Sequence, residues 1–204
     1  MALTLPVGGG GGGDFKRAPA GSHIAVCNMV ADVGIQPGSQ SFPQPKRKLY
    51  LRFEIPGERV EYEKDGKQVE GPLTIGSFYT ASMNEKATLR KHLEGWRGKG
   101  FTDTEAGSFD ISKLLGAACM LSVIESENGG KTYSNIQNIG KMPKGIDSPK
   151  AENELLYYAD DNADGFDDLP KWLQEKIDGQ IKPARPAANE SHGSNDGDGG
   201  DVPF

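Results

Sequence analysis

Residues 46–55 combine positive charge with an aromatic ring at the spacing of a β-strand. Apolar residues occupy the odd positions, which are Leu49, Leu51, Phe53 and Ile55. Because successive side chains of a strand point to opposite faces, the even positions form a separate row, made of Lys46, Lys48, Tyr50 and Arg52. Proteins grip single-stranded nucleic acid with cations that follow the phosphates and flat rings that stack on unpaired bases. The same row also suits a strand face that simply contacts water, with Tyr50 half-buried.

Other basic and aromatic residues extend this predicted surface. Phe78 and Tyr79 are adjacent in a later strand and therefore lie on opposite faces, so one of them can join the platform. Trp96 completes a helical apolar stripe and is expected in the core, while Arg97 and Lys99 beside it can reach phosphate. The predicted nucleic-acid-binding residues are Lys46, Lys48, Tyr50, Arg52, Tyr79, Arg97, Lys99 and Tyr133.

Signals of catalysis are weak. The chain has no Walker phosphate loop, dinucleotide fingerprint or nucleophile elbow, and its three histidines lie far apart. Residues 160–165 match the first half of a calcium EF-hand loop, but Lys171 occupies the twelfth position, where a bidentate Glu is needed. A metal-dependent nuclease would need a carboxylate cluster, for which Asp32, Glu54 and Asp110 are candidates by default. We therefore expect no enzyme activity, no metal and no cofactor.

The order of the predicted elements favours an OB-fold, a mainly β architecture in which five strands form a partly open barrel. The patterns predict strands at 24–33, 46–55, 73–83, 117–125 and 131–139. A capping box at 82–85 predicts a helix between the third and fourth strands, ending near Gly98. A ferredoxin-like fold would need a helix after the first strand, where this chain has a proline-rich loop. Cys27 and Cys119 lie in apolar runs, which predicts reduced, buried thiols.

Charge divides the chain into a basic body and an acidic end. Residues 1–150 carry 19 Lys and Arg against 16 Asp and Glu, whereas residues 151–204 carry 4 against 13. With the clustering of glycine and proline, this predicts a flexible glycine-rich leader at 1–21, a nucleic-acid-binding domain at 22–145, and an acidic, mostly disordered tail at 146–204. A short amphipathic helix is predicted over 166–179 within the tail. If the tail occupies the cationic groove, removing residues 151–204 should tighten DNA binding.

The last four residues resemble the tip of bacterial single-stranded DNA-binding proteins. Asp201, Val202, Pro203 and Phe204 follow an acidic, glycine-rich stretch, and the bacterial tips end in Asp-Asp-Ile-Pro-Phe. The resemblance implies a partner-binding tip in which Phe204 fills an apolar pocket and a carboxylate meets an Arg or Lys. Val202 in place of Ile, and Gly200 in place of the outer Asp, are departures from that pattern.

The body resembles a phage-encoded OB-fold family of single-stranded DNA-binding or replication-initiation proteins. The resemblance covers residues 1–145 and is carried by segments 19–27, 53–56, 79–86, 89–98 and 131–136. It implies a phage protein that coats single-stranded DNA during replication or recombination and recruits host proteins through its tip. The alternative is a phage interaction protein whose tail occupies a host pocket without DNA binding.

Cellular location and assembly follow less directly. The chain has no run of the roughly 18 apolar residues that a membrane span needs, and its N-terminal residues lack a secretory signal pattern. We therefore expect no membrane partner and a cytoplasmic location in a bacterial host. The sequence leaves the oligomeric state open, a homo-oligomer included.

Overall fold

A computed structural model describes residues 16–40, 42–64, 66–159 and 165–181. The fold is mostly β, as predicted, and five antiparallel strands form one curled sheet in the shape of a half-barrel. These strands are β1 (Gly21–Gln36), β2 (Lys46–Lys64), β3 (Lys67–Thr80), β4 (Ala118–Asn128) and β5 (Lys131–Gly140). Since β1 pairs with both β2 and β4, the strand order is β3-β2-β1-β4-β5. The two end strands, β3 and β5, approach to within 8 Å between Cα atoms.

Strands β2 and β3 are longer than the sequence patterns predict. Pro56-Gly57 was expected to end β2, but the strand continues through an irregularity in the pairing between Ile55 and Arg59. A proline is tolerated there because a bulge leaves residues outside the hydrogen-bonded ladder. Charged residues then pair across the extended hairpin, where the Arg59 Nε donates to the Glu70 Oε1 at 2.8 Å.

Three helical elements connect β3 to β4: α1 (Thr88–Arg97), α2 (Asp103–Gly107) and a 3₁₀ helix at Ile111–Leu114. The capping box predicted at 82–85 does not form, and α1 begins after Ala87 without a side-chain cap. The Ser82 hydroxyl instead accepts from the Asn84 backbone N–H, within a turn that precedes the helix. A complete capping box is present at Thr102 and Glu105, where it starts α2.

The larger apolar core, here called the inner cluster, lies on the concave face of the sheet beneath α1. It contains the odd positions of β2 that the alternation predicted, with Phe53 fully buried. Leu89, Leu93 and Trp96 of α1 pack on them, and the Trp96 Nε1–H donates to the Ala118 carbonyl at 2.8 Å. Cys27 and Cys119 are free and buried, as predicted, and burial raises the pKa of the Cys27 thiol to about 12.

A second apolar core, here called the outer cluster, lies on the opposite face of the same sheet. The sheet contributes Met29, Ala31, Val33 and Tyr50, and later parts of the chain contribute Tyr158, Leu169, Leu173 and Ile177. The later elements are β6 (Leu156–Tyr158), which pairs in parallel with β1, and α3 (Lys171–Asp178). Full burial of one such aliphatic side chain contributes about 1.5–3 kcal/mol. Packed structure therefore extends beyond residue 145, into the part that the sequence analysis assigned to a mostly disordered tail.

A buried carboxylate fixes the chain between β5 and β6 on this outer face. Glu54 is fully buried, and its carboxylate accepts hydrogen bonds from the backbone N–H groups of Glu152 and Asn153. The Asn153 side-chain amide adds a third bond at 2.8 Å. Buried charge is stable when hydrogen bonds replace its water, so Glu54 anchors residues 152–153 to β2. Within the described ranges, no helix is long and apolar enough to cross a bilayer.

Candidate nucleic-acid interface

A cleft of about 410 Å³ opens where the two end strands of the half-barrel face each other. Five parts of the chain line it: residues 16–18, strand β2, strand β3, the start of β5, and the start of α3. The lining residues that matter below are Lys16, Arg17, Tyr50, Arg52, Gly76, Tyr133, Pro170 and Trp172. Such a volume is typical of pockets that hold one small molecule.

Three cations line this cleft, and none of its described lining residues is acidic. Arg52 is half-buried, and its Nε donates to the Asn28 Oδ1 at 3.1 Å. Burial lowers the pKa of Arg52, and nearby Tyr50, Glu54 and Cys27 oppose that shift. The guanidinium stays charged, because arginine is not deprotonated in proteins. The Lys16 Nζ lies 3.2 Å from the Glu58 Oε2, outside the lining.

Arg17 differs from the other two cations in its contacts. It is exposed, and the described ranges contain no hydrogen bond or ion pair of its side chain. Its position is nevertheless fixed, because the next residue, Ala18, is buried and accepts a hydrogen bond through its carbonyl from the Ser134 Oγ at 2.6 Å. Ala18 therefore packs on β5, although residues 1–21 were predicted to form a flexible leader.

The aromatic residues of the cleft have different exposures. Tyr50 is 8% exposed, and its ring lies 4.8 Å from that of Phe78 and 5.2 Å from that of Trp172. Burial raises the pKa of Tyr50 to about 12. Its hydroxyl lies over Gly76, where a Cβ would come within 1.9 Å of the oxygen, so a glycine is required at that position. Tyr133 and Trp172 are half-buried and retain surface toward the cleft.

The predicted row along β2 is divided by α3. Arg52 lies in the cleft, Tyr50 is covered, and Lys46 and Lys48 lie farther along the strand, outside the cleft lining. The Lys48 Nζ donates to the Thr80 Oγ1 at 2.9 Å, and burial lowers its pKa. Alternation correctly placed these residues on one face, but it carried no information about the helix that packs there.

Three other predicted residues lie away from the cleft. Tyr79 belongs to the inner cluster, where its hydroxyl lies 3.0 Å from the His92 Nδ1, so it is not available for stacking on a base. Arg97 and Lys99 both contact Glu105, at 2.9 Å and 3.5 Å. Arg97 also lines a separate cavity of about 400 Å³ beside α1, with its guanidinium 4.1 Å from the centre of the Phe101 ring.

The cleft contains three residues that the sequence did not predict as binding residues: Lys16, Arg17 and Trp172. The two cations follow a glycine run that was assigned to the leader, and Trp172 was identified only as part of an apolar helix stripe. A useful signal was available at Trp172, since a tryptophan beside Pro170 in a predicted helix suggests a docked helix end. The predicted tip, Asp201, Val202, Pro203 and Phe204, lies outside the described residues.

The default carboxylate candidates are separated in the fold. Asp32 pairs with Arg47, Glu54 holds residues 152–153, and Asp110 caps the 3₁₀ helix through the Ser112 N–H. Among the described residues, no group of three or more potential ligands is arranged to hold a metal ion. Most of the EF-hand-like stretch at 160–165 falls outside the described ranges. In comparisons with known proteins, no family model, curated protein or solved structure matches the chain.

Proposed function

We propose that this chain is a sequence-nonspecific single-stranded DNA-binding protein built on an OB-fold, with the cleft as its binding site. The strand order β3-β2-β1-β4-β5 and the position of α1 between β3 and β4 support that fold assignment. OB-folds bind oligonucleotides on the face of their second and third strands and on the adjoining loops. The cleft adjoins that face.

The observation that carries the proposal is the charge of the cleft. Lys16, Arg17 and Arg52 come from separate parts of the chain and line one opening without an acidic residue in the described lining. Lys16 is already paired with Glu58, but Arg17 and Arg52 form no ion pair within the described ranges, so their like charges favour an anion between them. Phosphates of a flexible strand supply that anion, and the ring of Tyr133 offers a surface for an unpaired base.

The biological role follows from this chemistry and from the resemblance of residues 1–145 to the phage-encoded family. The protein coats single strands exposed during replication or recombination. We also propose that residues 201–204 recruit host proteins, because they resemble the tip of bacterial single-stranded DNA-binding proteins.

The test is a salt titration of binding to a short, labelled oligo-dT, measured by fluorescence anisotropy. Arg17→Ala and Arg52→Gln should each weaken binding and reduce the slope of log K against log salt concentration by about 0.7, because each removes one phosphate contact. Glutamine at position 52 keeps a donor for Asn28. Lys99→Ala is the matched control, since it removes an exposed cation that pairs with Glu105 outside the cleft, and the slope should not change.

Two results would overturn the proposal. One is absence of oligo-dT binding by the wild-type protein even in dilute buffer, which would favour the alternative of an interaction protein that does not bind DNA. The other is equal competition by duplex DNA, because a duplex does not fit a cleft of this size.

A further inference from the structure

The helix α3 is held on the sheet by apolar contacts rather than by charge. Leu173 is fully buried and Ile177 is 3% exposed, both against the outer face of β1. The backbone is tied down as well, since the Ile181 N–H donates to the Ile35 carbonyl at 2.8 Å and the Gln36 side chain donates to the Lys176 carbonyl at 3.0 Å. A segment attached in this way is part of the fold, and a phosphate strand would not displace it readily.

The start of α3 forms one wall of the cleft. Pro170 and Trp172 line the opening beside Arg17, Arg52 and Tyr133. The indole is fixed by two edge-to-face contacts, 5.2 Å and 84° to Tyr50 and 6.3 Å and 80° to Phe78. It is nevertheless only half-buried. An immobilised ring that keeps open surface beside cations is well suited to stacking on a base.

The acidic residues of this segment that the structure describes do not line the cleft. Residues 151–181 carry 9 Asp and Glu against 2 Lys. Asp167, Asp168, Glu175 and Asp178 are all exposed, and none of them lines the cleft. Glu152 is engaged by Arg59 at 2.6 Å. The described part of the segment therefore presents an imino acid ring and an indole to the cleft, and it does not present carboxylates that would mimic phosphate.

We infer that residues 165–181 are an integral wall of the single-strand site, with Trp172 as its base-stacking residue. The inference rests on the proposed function and deepens it. A strand that contacts both the sheet and α3 binds the docked arrangement, so binding and docking stabilise each other. If an acidic tail instead competed with DNA for the groove, docking of the tail and binding of DNA would weaken each other.

The two tryptophans of the chain allow a direct test by intrinsic fluorescence with oligo-dT. Trp96 is buried beneath α1 and hydrogen-bonded to Ala118, so Trp96→Phe leaves Trp172 as the reporter. The emission of that variant should be quenched on addition of oligo-dT. In Trp172→Phe, quenching should disappear. Trp172→Ala should weaken binding by at least about fivefold, because stacking on one base contributes about 1–3 kcal/mol.

Hydrogen exchange of the wild-type protein separates a direct role of Trp172 from loss of α3 docking. The amides of 171–178 should exchange more slowly when oligo-dT is bound. Faster exchange on binding, or tighter binding by Trp172→Ala, would overturn the inference in favour of competition. The inference alone would be overturned if the wild type binds oligo-dT, both Trp172 variants bind it equally well, and the exchange of 171–178 does not change on binding. The proposed function would then still stand. Absence of binding by the wild type would overturn the inference together with the proposed function.

Discussion

The two faces of the half-barrel sheet are both buried, but they are covered in different ways. On the inner face, α1 follows β3 directly along the chain and packs on Phe53 and its neighbours. On the outer face, the cover consists of β6 and α3, which are separated from β2 in the sequence by all of β3, α1, β4 and β5. Both covers combine apolar and polar contacts: α1 also buries Arg90 and His92, and residues 152–153, just before β6, bind the buried carboxylate of Glu54 on β2.

This difference shows why the polar row of β2 was misleading. An alternating strand usually packs one face and exposes the other to water. In this protein, two of the even positions are covered as well, because Tyr50 contacts Trp172 and Glu54 binds residues 152–153. Polar residues on the second face thus mark a place where the chain returns, while Lys46 stays exposed and the part near Arg52 and Gly76 is open as a cleft.

The largest expected effect tests whether the two faces belong to one cooperative unit. Phe53→Ala in the inner cluster should lower the free energy of unfolding by about 3–5 kcal/mol, and Leu173→Ala in the outer cluster by about 2–5 kcal/mol. Both side chains are fully buried, so each truncation removes apolar contacts and leaves a cavity. Chemical denaturation followed by circular dichroism measures both values.

Leu155→Ala is the control for this pair, because Leu155 is 46% exposed and its truncation should change stability by less than about 0.5 kcal/mol. A separate early transition in Leu173→Ala, with the main transition unmoved, would show that the outer cover unfolds independently and would contradict the single unit.

A smaller effect is expected from the anchor on the outer face. Glu54→Gln keeps the size of the side chain but replaces one carboxylate oxygen with an NH2 group. That group cannot accept the hydrogen bonds that Asn153 and Asn28 donate to Glu54. We expect a loss of about 1–3 kcal/mol in the free energy of unfolding, together with faster hydrogen exchange at residues 152–153. Glu61→Gln, an exposed site on the same strand, is the matched control. Equal stability of the two variants would show that Glu54 is not an anchor.

Sequence patterns predicted the inner face well because the relevant information is local. Alternation in β2 and the helical stripe that Trp96 completes each depend on residues close in sequence. The outer face depends on contacts between distant parts of the chain, such as Tyr50 with Trp172, and no local pattern encodes which distant segment returns. The same reason explains the site: Arg52 and Tyr133 were predicted, whereas Arg17 and Trp172 join them only through packing of the chain ends.

The smallest expected effect concerns the polar link on the inner face, where His92 of α1 bridges two strands. Its Nδ1 lies 3.0 Å from the Tyr79 hydroxyl, and its Nε2 lies 3.1 Å from the Gln137 carbonyl. This arrangement suits a neutral ring, in which Nε2–H donates to Gln137 and Nδ1 accepts from Tyr79.

Burial lowers the pKa of His92 below its ordinary value of 6.5, although the hydrogen bond to Gln137 opposes the shift. Between the lowered pKa of the folded protein and about pH 6.5, His92 of the unfolded chain binds a proton that the folded protein does not bind. The free energy of unfolding therefore falls as the pH drops below about 6.5, and it is fully retained above that pH. Urea unfolding of the wild type and of His92→Gln at about pH 5 and about pH 7.5 measures this effect, because the variant lacks the titrating ring. The wild type should lose more stability on acidification than the variant does, and identical losses would show that protonation of His92 does not disturb the link between α1 and the sheet.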